Sequence, residues 1–140
     1  MKTNVVPLIL ACLGLLITGC SSLNRTLATQ EAAVTQFHDQ YNSGKADAIW
    51  DAAHARFQGA TEKAAFVTYL QGVKTKLGKA TSTANIDRRM STANEKIMAY
   101  LSQETLFEHG KGVETFTILM EGERAVLVAY NVQSKVLAAK

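Results

Sequence analysis

Proline occurs once, at position 7, and cysteine twice, at positions 12 and 20, in a chain of 140 residues. Everything after residue 20 is without a thiol. That excludes an intramolecular disulfide, a cysteine nucleophile and a thiolate metal site from the body of the protein. With nine glycines, one proline and 7% aromatic residues, the composition is neither collagen-like nor of low complexity. Excess charge is also scarce: Lys+Arg 15 against Asp+Glu 12 leaves a formal net charge of +3. No basic run is long enough to track a phosphate backbone, so nucleic acid is not an expected partner. The histidines, His38, His54 and His109, show neither HxxxH nor HExxH spacing. No metal and no other cofactor is expected. What is present is 47% hydrophobic residues, material for one folded domain.

The longest apolar run stands at the start. Lys2 precedes residues 5–17, which are apolar or small apart from Pro7. A run of about thirteen residues is too short to cross a hydrocarbon core of roughly 30 Å as a helix. One positive charge, a short apolar stretch and small residues at its end read instead as a secretory signal. The stretch closes Ile17-Thr18-Gly19-Cys20-Ser21. An aliphatic residue and two small ones before cysteine resemble the lipobox of bacterial lipoproteins. The resemblance implies cleavage after residue 19, a diacylglycerol on the Cys20 sulfur and a fatty acyl group such as palmitate on its freed amine. Each buried acyl methylene contributes about 0.8 kcal/mol, so two or more chains anchor a protein stably without a transmembrane helix. Ser rather than Asp at position 21 resembles lipoproteins forwarded to the outer membrane. The implied location is the cell envelope, with the domain facing the periplasm.

Residues 1–19 are thus expected to be a signal peptide, 20–28 a lipidated polar tether, and 29–140 the domain. Ala33, Val34, Phe37 and Tyr41 recur at helical spacing until Asn42-Ser43-Gly44 stops the pattern. A short helix fits 46–53, with Ile49, Trp50 and Ala53 inward. Gln58-Gly59-Ala60 reads as a break, after which Thr61 is the expected N-cap of a third helix carrying Phe66, Leu70, Val73 and Leu77. Beyond Gly78 the period falls to two. Strands are expected over 80–91, 97–107, 113–120 and 124–134, with turn chemistry at Glu108-His109-Gly110 and Glu121-Gly122-Glu123. In the third strand Phe116, Ile118 and Met120 share one face. In the fourth, Val126, Val128, Tyr130 and Val132 are expected on one face. Three helices followed by a four-strand antiparallel meander define an α+β domain.

Particular residues add a resemblance to the cystatin-like/NTF2-like superfamily, in which a curved sheet wraps a long helix to form a cone. They are Phe37…Tyr41-Asn42, Ala48-Ile49-Trp50, Phe57, Phe66…Leu70…Val73…Leu77-Gly78, Tyr100…Thr105-Leu106-Phe107, Gly112-Val113-Glu114-Thr115-Phe116 and Leu127…Tyr130. The pattern covers most of the chain after the signal, but it is hydrophobic spacing and contains no catalytic signature. One fold of this kind hosts many jobs.

Some members of that superfamily are isomerases or dehydratases, which need a carboxylate base facing a donor across an apolar pocket. Tyr41, Asp47, Asp51, Glu104 and Tyr130 are the side chains available on paper. The plainer expectation puts Asp47 and Asp51 on the solvent side of their helix, with Glu104 and Glu114 as cross-strand partners of Lys or Arg. The three histidines are expected at the surface or its boundary. Asp87-Arg88-Arg89 reads as a solvated, aggregation-resistant strand. Gly110 and Gly112 bracket Lys111, but no helix follows them, which excludes a phosphate loop. Trp50, Phe57, Phe66, Tyr69, Tyr100 and Phe116 are expected mostly in the core. The exception would be a cone mouth lined by Tyr41, Trp50, Phe57 and Tyr100.

The leading expectation is a non-enzymatic accessory or protein-interaction module, held at the membrane through Cys20 and partnered by an envelope protein. Small hydrophobic-ligand binding in the cone is the alternative, and isomerase- or dehydratase-like catalysis the third. A homodimer through the open sheet face is compatible with this kind of fold, although no residue requires it. A filled cone favours interaction and an open apolar cavity favours a ligand. A buried carboxyl group opposite a tyrosine favours catalysis.

Overall fold

The computed structural model describes the backbone of residues 19–139 and the side chains of residues 21–139. The expected signal segment and the Cys20 side chain fall outside the described residues. Four helices come first: α1 (Gly19–Asn42), α2 (Ala46–Ala52), α3 (Ala55–Ala60) and α4 (Lys63–Leu77). Strands β1 (Ala80–Ala93), β2 (Lys96–Phe107), β3 (Gly110–Glu121) and β4 (Arg124–Gln133) follow, and a single turn, α5 (Lys135–Ala138), closes the chain. The strands form one antiparallel sheet in the order β1-β2-β3-β4. This is the α+β architecture expected from the change of period at Gly78. Among the described residues, no helix is long and apolar enough to cross a membrane.

The core lies between the helices and one face of the sheet. From α1 come Val34, Phe37 and Tyr41, and from α4 come Phe66, Leu70, Val73 and Leu77. The strands add Ala99, Leu101, Phe107, Phe116, Ile118 and Val132. Leu77 and Ala99 are wholly inaccessible. These are the residues that recur every third or fourth position in the helices and every second position in the strands, as burial of one stripe or face requires.

The C-terminus of α1 is clamped to the start of the sheet. Asn42 donates through Nδ2 to the Ala80 carbonyl at 2.9 Å and accepts the Ala80 N–H on Oδ1 at 2.8 Å. The Tyr41 hydroxyl donates to the Gly78 carbonyl at 2.8 Å, and Lys74 Nζ donates to the Asn42 carbonyl at 2.7 Å. A cation on the last carbonyls of a helix also complements its dipole. Gly78 has a positive φ of 77°, and a Cβ there would stand 2.6 Å from Glu108 Oε2. Glycine is required at that corner by conformation and by space together.

Several boundaries differ from the sequence expectation. Residues 21–28, read as a tether, are helical and belong to α1. Residues 58–60, read as a break, belong to a helix not expected from the sequence, α3, which His54 caps by accepting the Arg56 N–H on Nδ1 at 3.1 Å. Thr61 ends α3, and Glu62 begins α4 without a side-chain cap. There are accordingly four helices before the sheet and a turn after it. The fourth strand also departs from simple alternation. A bulge between Thr117 and Ile118 leaves Val128 without an opposite residue, so Phe116 faces Tyr130 while Ile118 faces Leu127. Tyr130 and Val132 point to the core on one side of the bulge, and Leu127 and Ala125 do so on the other. Val126 and Val128 therefore do not share the face of Tyr130, because one extra residue exchanges the faces.

Asn42→Ala removes both bonds at Ala80 and leaves backbone groups unpaired. A loss of about 1–3 kcal/mol is expected in urea unfolding, the usual cost of stranding such groups. Asn42→Asp, which keeps the acceptor for the Ala80 N–H, should recover part of it.

Candidate functional site

The alternation of β3 places Glu114 on the same face as Phe116 and Ile118, beneath α1. It is 1% exposed. Three donors from three other elements reach its two carboxyl oxygens. His38 of α1 sets Nε2 2.7 Å from Oε2, and Thr105 of β2 donates its hydroxyl to the same oxygen at 2.5 Å. Tyr130 of β4 donates its hydroxyl to Oε1 at 2.6 Å. Since Oε2 is the acceptor, the Nε2 of His38 carries the proton between them. Thr105 is inaccessible and His38 is 9% exposed, so the group is closed to solvent on these sides.

Aromatic rings surround it. Phe37 packs on Tyr130 at 4.5 Å between centroids and edge-on to Phe116 at 5.1 Å. His38 stands edge-on to Phe116 at 6.0 Å. Such offset and perpendicular contacts stabilise beyond their buried area. The apolar surroundings set the chemistry of the neighbouring phenols. Burial pushes the Tyr130 hydroxyl well above the ordinary tyrosine range, and the charge of Glu114 and the bond to it push in the same direction. Tyr41 is raised for the same first reason, with Glu114 and then Glu108 adding to it. Both hydroxyls remain protonated donors at neutral pH.

This corrects two sequence expectations. Glu114 is not a cross-strand partner of Lys or Arg, and His38 is not a surface or boundary residue. Each lies within an apolar pattern, and each pairs with the other. Glu104 does behave as expected, pairing with Lys111 at 3.1 Å on the outer side of the sheet. Asp47 and Asp51 are exposed, and Asp51 pairs with Lys63 at 2.7 Å. His54 caps α3 and His109 lies exposed in the β2–β3 turn. Among the described residues, no three His, Cys, Asp or Glu side chains converge as metal ligands.

The four residues expected to line a cone mouth do not meet. Tyr41 is buried against Phe107 at 6.1 Å. Trp50 donates through Nε1 to the Thr61 carbonyl at 2.8 Å, with Lys63 Nζ 5.7 Å from its ring. Phe57 is buried edge-on to Phe66 at 5.0 Å. Tyr100 is 47% exposed on the opposite face of the sheet, level with Thr117. Phe57 borders a groove of about 330 Å³, which it shares with Thr61, Ala65, Phe66, Tyr69 and Tyr130. Under α1, a cavity of about 70 Å³ lined by Phe37, Ile49, Phe116, Ile118 and Leu127 is smaller than a typical ligand site. Neither space is lined by Glu114, His38 or Thr105.

No protein-family model matches this sequence, and no curated protein is similar enough to it to match. Its chemistry is therefore argued from the site. A base or nucleophile needs an open position beside it for the reacting atom. Glu114 with Tyr130 is a buried carboxyl group facing a tyrosine, the arrangement expected of a catalytic cone. Its oxygens, however, are taken by His38, Thr105 and Tyr130, and it borders neither space described above, which suits a structural link between helix and sheet.

Glu114→Ala strands three buried donors. A loss of about 3–5 kcal/mol is expected in a urea melt, as for breaking a buried pair by removing one partner. A loss below about 1 kcal/mol, the range of solvated pairs, would mean the inner face is wet. The phenols give a second expectation. A group whose value is raised on folding adds stability below its unfolded value, near pH 10, and loses it as the pH climbs toward the folded one. Stability should therefore fall above about pH 10, and less steeply in Tyr130→Phe. Phenolate absorbance from Tyr41 and Tyr130 should appear together with unfolding.

Proposed function

We propose that the chain is a lipid-anchored protein-interaction or accessory module of the bacterial cell envelope, related in fold to the cystatin-like/NTF2-like superfamily and facing the periplasm. The anchor rests on Ile17-Thr18-Gly19-Cys20 and the apolar run before it. The observation that carries the interaction reading is the contrast between the two faces of the sheet. The inner face is occupied by α1, Phe37, Phe116 and the Glu114 group, whereas large apolar side chains remain accessible on the outer one. Tyr100 is 47% exposed there, and Leu106 and Val113 are 39% exposed each. Outward apolar side chains rimmed by Glu104 and Lys111 suit a protein contact better than a reaction.

A second reading has its own support. The groove beside Phe57, Phe66, Tyr69 and Tyr130 is aromatic-lined and of about 330 Å³, the lower end of small-molecule sites. A small apolar ligand is the class it would take.

Metabolic labelling with a palmitate analogue should mark the wild-type chain and leave Cys20→Ala unlabelled and released from the membrane fraction. Label retained by that variant would contradict the anchor. A photo-cross-linking residue at Tyr100, in the native host, should capture one dominant envelope protein. Capture of nothing across growth conditions, with ligand-dependent quenching of Trp50 fluorescence, would favour the groove.

A further inference from the structure

β1 is an outer strand of the sheet, hydrogen-bonded to β2 on one side, and all of its residues except Ala80 and Arg88 are exposed. Two of them are large and apolar: Ile86 at 57% and Met90 at 43%. A long, exposed edge of this kind is a template for another strand, and proteins that keep one usually blunt it or use it. Here the middle of the edge reads Ile86-Asp87-Arg88-Arg89-Met90, and its charged centre, Asp87-Arg88-Arg89, is complementary to its own reverse.

We propose that a second copy of this chain pairs along β1, antiparallel, about a two-fold axis through Arg88. A two-fold axis normal to a sheet keeps each face on its own side, so directly opposed residues must share a face. Arg88 and Met90 lie opposite Leu101 and Ala99 of the inner face, while Asp87 and Arg89 lie opposite Ser102 and Tyr100 of the outer one. Only registers centred on a residue satisfy that condition. Centring on Arg88 sets Asp87 against Arg89 of the second copy twice, on the outer side, while Ile86 is the unpaired residue of the bulge and adds no matched pair with Met90. Centring on Asp87 or on Arg89 would oppose that exposed charge to itself, which destabilises a cross-strand pair.

The remaining self-contact, Arg88 with its copy, is already neutralised. Its guanidinium is held 3.0 Å from Glu31 of α1 and is 15% exposed, drawn beneath the helix and away from the edge. Asp87 and Arg89 form an exposed pair at 3.0 Å within one strand, and in the dimer they exchange partners across the axis. The bulge between Asn85 and Asp87 limits the regular ladder on that side. The contact is therefore short, of moderate strength, and independent of whether Cys20 carries lipid.

Sedimentation equilibrium of the full-length chain in detergent tests it, with three proteins. The wild-type chain should dimerise reversibly. Asp87→Arg and Arg89→Asp each place like charges opposite one another twice, and each should weaken self-association by about tenfold or more. Mixed in equal amounts, the two variants should recover the wild-type dimer, because each then meets the opposite charge. That recovery cannot come from misfolding of either variant. A monomeric wild-type chain, variants that dimerise as tightly as wild type, or a mixture no tighter than its components would each overturn the proposal.

Discussion

The fold turns on one carboxyl group and the three donors that reach it. Glu114, His38, Thr105 and Tyr130 belong to β3, α1, β2 and β4 in turn, so the cluster closes only when all four elements are in place. It constrains the sheet as well. Counting back from the β3–β4 hairpin, where Glu121 faces Arg124, an unbroken ladder would set Tyr130 opposite Thr115 on the outer face. The bulge between Thr117 and Ile118 shifts it opposite Phe116 and turns its hydroxyl inward. A buried acceptor without that donor would be costly, so the bulge and the buried glutamate require each other.

The same cluster decides what the inner face can do. In an α+β domain with a helix lying across a sheet, the space between them is where a ligand or reaction would be housed. Here Phe37, Tyr130 and Phe116 occupy most of that space, and Glu114 within it is satisfied by His38, Thr105 and Tyr130. The side-chain oxygens of buried Gln30 and Gln103 have no hydrogen-bond partner among the described residues. Among the described residues, the molecule offers to its surroundings the part of the outer sheet face around Tyr100, Leu106 and Val113, the β1 edge and the groove beside Tyr69, whereas Leu119 and Val126 of that face are buried. The opposite edge is less available. The His54 N–H donates to the Leu127 carbonyl of β4 at 2.8 Å. The two sides of the sheet are thus unequal, with β4 covered by the helical layer and β1 open.

Much of this was legible in the residues. The stripe Phe66, Leu70, Val73, Leu77 and the alternation Phe116, Ile118, Met120 place α4 and β3 on the core with no further information, because burial repeats with the backbone period. Other features have no such signal. Helix α3 contains Gly59 and buries only Phe57, so it is held by packing and not by propensity. The β4 bulge arises between chemically ordinary residues and shows only in the register. Glu114 and His38 were accessible in principle. Carrying the β3 alternation two residues back from Phe116 reaches Glu114, and His38 follows Phe37 one turn after Val34. A charged residue on a buried face is read as an interruption until its partner, 76 residues away, is known.

The closure of the inner face is most directly tested by proton NMR of the His38 ring. A sealed cluster requires an observable Nε2–H that exchanges slowly with water and shows cross-relaxation to the Thr105 side chain. A ring proton lost to rapid exchange at neutral pH, while the surrounding amides stay protected, would contradict it and make the Glu114 region an open, solvated site.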